Sequence, residues 1–140
     1  MKRTLVWHAL RSDGNLNSMQ PSAYYVDADC TPIAVRVYAQ VAPDVEDAEF
    51  NIYDDGVTIF SDRASHTYYP RGGVQTYASP VTNIGLTKGE NDEVLADDFK
   101  DNTIDSGSWL SCNLIKDGGG TNFTVQLDLE VVSEDGETDN

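Results

Sequence analysis

The feature that most constrains this chain is strict two-residue alternation of apolar and polar side chains. In Ile33-Ala34-Val35-Arg36-Val37-Tyr38-Ala39-Gln40-Val41 every odd position is apolar, while Arg36, Tyr38 and Gln40 stand at even ones. In Phe123-Thr124-Val125-Gln126-Leu127-Asp128-Leu129-Glu130-Val131 the odd positions are again apolar and the even ones polar. Successive side chains on a strand point to opposite faces, so each segment reads as a strand with one buried face. On a helix the same residues would be scattered around the cylinder. The expected inward set is Ile33, Val35, Val37, Ala39 and Val41 from the first, and Phe123, Val125, Leu127, Leu129 and Val131 from the second.

Shorter extended segments fill the rest. Phe50 and Ile52 alternate with Asn51 and Tyr53; Asp54-Asp55-Gly56 makes a turn, and Val57-Thr58-Ile59-Phe60 resumes an extended pattern. Leu110, Cys112 and Leu114 form one face of 108–115, and Lys116-Asp117-Gly118-Gly119-Gly120 joins that segment to the Phe123 strand, a glycine-rich link expected to close a hairpin. Ala42-Pro43-Asp44 is expected to turn the Ile33 strand back towards Phe50. Further extended candidates are 4–10, 23–27, 75–78 and 80–84, and only 94–100 suits a short helix. About seven to nine short strands with turns every ten or so residues predict a single antiparallel β-sandwich, jelly-roll-like. The expected organisation is an N-terminal arm or edge strand and loop over 1–30, the sandwich over 31–132 and an acidic tail over 133–140.

Charge narrows the partners. Nine Lys and Arg against 24 Asp and Glu leave −15 over 140 residues. A field of that sign repels nucleic-acid phosphates and anionic membrane surfaces, so neither is an expected partner. No apolar run approaches the ~20 residues that cross a bilayer, and His8 and Arg11 interrupt the opening segment before a signal peptide is complete. Two cysteines are not a disulfide framework; Cys112 shares the inward face of Leu110 and Leu114, and both Cys30 and Cys112 are expected as free thiols.

Catalytic and metal motifs are thin. His8 lies in an extended segment and His66 in a long loop, neither beside a nucleophile motif, and Gly118-Gly119-Gly120 lacks the lysine and helix of a phosphate loop. The carboxylate groupings Asp27/Asp29, Asp54/Asp55, Asp97/Asp98 and Asp101/Asp105 do not match a calcium-loop spacing, and they read as solvated acidic loops. No catalytic residue, metal or cofactor is expected. Flat aromatic rings stack on sugar faces, and Trp7, Trp109, Tyr24, Tyr25, Tyr53, Tyr68, Tyr69 and Tyr77 are the candidates for that role. Tyr68-Tyr69-Pro70-Arg71-Gly72-Gly73 combines aromatics with arginine in a loop, the composition of a protein interface as much as of a sugar site.

Ile52-Tyr53-Asp54-Asp55-Gly56-Val57-Thr58-Ile59-Phe60, Gly107-Ser108-Trp109-Leu110-Ser111-Cys112 and the 123–129 strand together resemble small β-sandwich structural proteins of tailed bacteriophages. The resemblance spans roughly 31–132. It implies a non-catalytic virion component made in the host cytoplasm, of the capsid decoration, head fibre or minor tail type. The implied partners are the major capsid or other virion proteins and further copies of the chain, a trimer suiting local three-fold positions. The ends carry opposite charge, Lys2, Arg3 and Arg11 against five acids in 130–140, which suits pairing between copies. The expected interface is Lys2, Arg3, Leu5 and Trp7 from the arm and Tyr68, Tyr69 and Arg71 from the loop. The rival expectation is a carbohydrate-binding or adhesin module using loop aromatics.

Overall fold

The computed structural model describes residues 1–9, 19–60, 67–68, 75–76, 84–95, 99 and 103–132. Along the chain the strands are β1 (Lys2–Ala9), β2 (Tyr24–Tyr25), β3 (Cys30–Val41), β4 (Ala48–Asp54), β5 (Val57–Thr58), β6 (Thr67–Tyr68), β7 (Gln75–Thr76), β8 (Ile84–Leu86), β9 (Asp92–Leu95), β10 (Trp109–Lys116) and β11 (Thr121–Val131). They form one antiparallel sheet in the order β1-β11-β3-β9 and a second in the order β2-β10-β4-β5, with β8 also pairing β4; β6 and β7 make a separate ribbon. The two larger sheets pack face to face, so the fold is the expected all-β sandwich. No helix occurs among the described residues, and Val94 and Leu95, expected to begin one, belong to β9.

The alternation does what a two-faced strand requires. Phe123, Val125, Leu127 and Leu129 from β11 meet Phe50 and Ile52 from β4 and Leu110, Cys112 and Leu114 from β10, all essentially without solvent exposure. Phe50 and Phe123 join the sheets directly, edge to face with ring centroids 5.4 Å apart. Met19, Val26, Phe60 and Ile104 close the core from loops and isolated bridges.

Two members of the expected inward set leave it. Ile33 is only half-buried, because β3 carries a bulge there: Asp128 of β11 pairs with Ala34 and the next residue, Leu129, pairs with Pro32. One extra residue reverses the parity of a strand, so the inward positions run Val35, Val37, Ala39 on one side of the bulge and Cys30, Pro32 on the other. Val41 is exposed, since it stands where β3 has run past the core.

Both connections read as hairpins prove to be bridges between sheets. β3 lies in the first sheet and β4 in the second; β10 lies in the second and β11 in the first. The two bridges cross each other closely, and the carbonyl of Gly118 accepts the amides of Asp44 at 3.1 Å and Val45 at 2.9 Å. A Cβ on Gly118 would sit 2.2 Å from the Glu46 carbonyl oxygen, and its φ of +61° is left-handed. The glycine run therefore exists for backbone-to-backbone approach rather than for a tight hairpin. Among the described residues the one short hairpin of the larger sheets is β4–β5, where Asp55 and Gly56 take φ of 48° and 88° between the Asp54–Val57 pair, the two left-handed residues of a type I′ turn.

The N-terminal segment is not a free arm. β1 pairs with β11 over its whole length, from Lys2–Glu130 to Ala9–Phe123. Its outer edge is partly covered: the Tyr24 hydroxyl donates to the Val6 carbonyl at 2.7 Å, and His8 exchanges backbone hydrogen bonds with Gln20. An edge covered in this way is blunted as a template for another strand.

Candidate functional site

The residues expected to form a partner interface divide among different environments. Trp7 is wholly buried, its ring edge to face with Tyr24 at 5.3 Å, and Leu5 packs half-buried against the same core. Trp7 is thus held by the sandwich interior, which takes it out of the expected partner surface, while Leu5 keeps part of its surface open. Arg3 bonds to the Asp27 carboxylate of the same chain, and Lys2 is exposed on the edge strand. Arg3, expected in the partner interface, thus meets an acid within its own fold. Tyr68 lies in β6, its backbone paired with Gln75; its side chain, Tyr69 and Arg71 fall outside the described residues, as do His66, Tyr77, the 97–98 and 101 acids and the 133–140 tail.

Asp29, expected as a solvated loop acid, accepts the Ser106 amide at 2.8 Å. Elsewhere Asp47 accepts the Lys88 amide at 2.7 Å, and Asp128 on β11 accepts the Arg36 guanidinium at 3.1 Å. Arg3 lowers the Asp27 pKa from its ordinary value, chiefly by its hydrogen bond and then by its charge. Among the described residues no three His, Cys, Asp or Glu side chains converge as metal ligands would. Cys30 and Cys112 are separate free thiols, both buried. Burial pushes the Cys112 thiol far up, and its Sγ lies 3.5 Å from the Met19 sulfur, so it behaves as a core residue.

The surface that stands out is the outer face of the second sheet. Parity puts Leu110, Cys112 and Leu114 inward and leaves Trp109, Ser111 and Asn113 outward on β10. Trp109 pairs across the ladder with Tyr25 of β2, and their rings lie side by side with centroids 5.1 Å apart and planes tilted by 57°. Both remain open to solvent, Tyr25 at 55% and Trp109 at 53% exposure. Next along the face, Ser111 pairs with Tyr53 and Asn113 with Asn51 on β4, and Asn113 hydrogen-bonds the Tyr53 side chain. Burial is the main reason that the Tyr53 phenol titrates above its ordinary range, with the Asn113 bond opposing it.

The backbone beneath Trp109 is pinned. Its amide donates to Asp55 Oδ1 at 2.9 Å, and its carbonyl accepts the Asp55 amide at 2.9 Å. The type I′ turn thus grips the strand that carries the aromatic. Trp109 and Tyr25 were legible as stacking candidates and Trp109's outward parity follows from its neighbours; their adjacency follows only from the pairing of β2 with β10.

No protein-family model and no curated protein matches the chain. Similar solved structures include the catalytic domain of a GH87 alpha-1,3-glucanase in complex with nigerose, at 15% identity and a TM-score of 0.35. A variant of such a domain in complex with tetrasaccharides matches at 15% identity and a TM-score of 0.36. Each alignment covers 99% of this chain and 28% of the glucanase chain, so the chain spans under a third of the length of those proteins.

Proposed function

We propose that this protein is a non-catalytic recognition domain that binds carbohydrate on the outer face of its second sheet. The observation that supports the reading is the Tyr25–Trp109 pair, two large rings in contact with each other and each more than half exposed. Contiguous exposed aromatic surface is disfavoured in water, and on folded domains it commonly marks a binding surface. Sugar rings carry C–H faces that stack on such surfaces, while their hydroxyls need polar neighbours of the kind that Ser111 and Asn113 supply along β10. The reading moves the sugar-stacking role from the loop aromatics Tyr68 and Tyr69 to a sheet face. Affinity electrophoresis through gels containing soluble polysaccharides tests it. Wild type should be retarded, and Trp109→Ala and Tyr25→Ala should migrate freely while keeping the wild-type melting temperature within a few degrees. A wild type that no polysaccharide retards overturns the proposal.

A second reading keeps the chain as a multi-copy structural subunit of a phage particle, contacting the capsid and copies of itself. It rests on the resemblance over 31–132 and on two exposed apolar residues of the first sheet, Tyr38 of β3 and Val94 of β9, 48% and 54% exposed. Mass spectrometry of purified particles checks it: the chain should appear at many copies per particle, and its absence from every preparation removes the reading.

A further inference from the structure

We infer that the Tyr25–Trp109 face takes a neutral oligosaccharide of at least two linked rings, and this rests on the carbohydrate reading above. Geometry sets the minimum size. With planes tilted by 57° and centroids 5.1 Å apart, the two aromatics cannot both lie parallel to one flat ligand. A single sugar, or a planar heterocycle, that stacks on one ring meets the other obliquely. Two sugar rings joined by a rotatable linkage can each turn to its own aromatic. Beyond Trp109 the outward positions Ser111 and Asn113 are half-buried, and Asn51 opposite Asn113 is buried, so the open part of the face is the Tyr25–Trp109 end.

Charge sets the chemical class. The carboxylate of Asp55 stands at the Trp109 backbone, and the whole chain carries −15. The one basic residue of β10, Lys116, is at the opposite end of the strand, with Glu46 and Glu49 carboxylates 3.7 and 3.6 Å from its Nζ. A uronic acid, sialic acid or sulfated sugar would bring an anion into a negative field with no cation among the described residues of β2 or β10 at the aromatic end to receive it. Neutral hydroxyls meet no such opposition and can donate to carboxylate and amide oxygens.

A glycan array carrying neutral and acidic oligosaccharides of one to six rings, followed by calorimetric titration of the strongest hits at low and high salt, tests the inference. The expected hits are neutral and longer than one ring, at least tenfold tighter than the corresponding monosaccharide, and unchanged by salt. Trp109→Ala and Tyr25→Ala should each weaken them at least tenfold. Acidic glycans or monosaccharides that bind wild type as tightly, and lose binding in Trp109→Ala, overturn the inference and leave the carbohydrate reading standing. Hits indifferent to both substitutions, or an array without hits, overturn both.

Discussion

The Trp109 amide donates to the Asp55 side chain, and the Trp109 carbonyl accepts the Asp55 amide, each at 2.9 Å. One aspartate therefore closes the type I′ turn between β4 and β5 and fixes the strand that presents the exposed aromatic. Asp55→Asn keeps an acceptor at the same place and a residue type that tolerates positive φ. Asp55→Ala keeps neither. Urea denaturation should show a loss of about 1–2 kcal/mol for Asp55→Ala, and less than about 0.5 kcal/mol for Asp55→Asn. Equal losses would mean that the side-chain bond to Trp109 contributes nothing.

Leu127 tests the assignment of faces. It is fully buried in β11 and stands between Leu5 of β1 and Val35 of β3. Leu127→Ala should cost about 2–5 kcal/mol by equilibrium unfolding, the range for truncating a core leucine. A cost below 1 kcal/mol would contradict the burial.

Two glycines separate backbone strain from backbone collision. Gly56 has a φ of +88° and nothing within 4 Å of an added Cβ, so Gly56→Ala should cost about 1–2 kcal/mol from the left-handed conformation alone. At Gly118 the added Cβ also meets the Glu46 carbonyl and the Pro43 side chain. Gly118→Ala should therefore cost about 2–5 kcal/mol, at least 1 kcal/mol more than Gly56→Ala. Matching midpoints in urea would show that the two bridges between the sheets are not in contact.

The Arg3–Asp27 pair gives a pH signature of definite sign. Arg3 lowers the Asp27 pKa below its ordinary 3.8. The native state then binds that proton less readily than the unfolded chain, so the contribution is present above the unfolded pKa and is lost as pH falls through the native one. The melting temperature of wild type minus that of Arg3→Ala should be small and positive near neutral pH and shrink on acidification below about pH 4. Added salt should shrink it too, because both groups are solvent-accessible. A difference that grows with acid would contradict the pairing.

Removing residues 1–9 tests whether the N-terminal segment is an arm or a strand. Trp7 is in the core and β1 pairs with β11 throughout. The truncated chain should lose cooperative unfolding in a thermal scan, since Trp7 alone accounts for about 3–5 kcal/mol when truncated and whole-domain stabilities are about 5–15 kcal/mol. A truncated chain that melts like wild type would restore the arm.

Alternation by itself determined which segments are strands and, for β10 and β11, which side chains point inward, because parity is a local property of an extended backbone. The Asp55-Gly56 turn was equally local, written in residues that tolerate positive φ. What lay beyond the sequence was partnership. A short glycine-rich link serves a hairpin within one sheet or a bridge between two, and the choice at 117–120 follows from where β11 finds its neighbours, β1 and β3. The bulge at Ile33 likewise belongs to a pair of strands, and it turns one side chain of a perfect alternation away from the core. Trp7 had the parity of a core residue and the position of an arm; pairing with β11 decided between them. Tyr25 and Trp109 are far apart in the chain, and only the sheet order β2-β10 sets their rings together, since side-chain adjacency across a ladder depends on register, which no single strand contains.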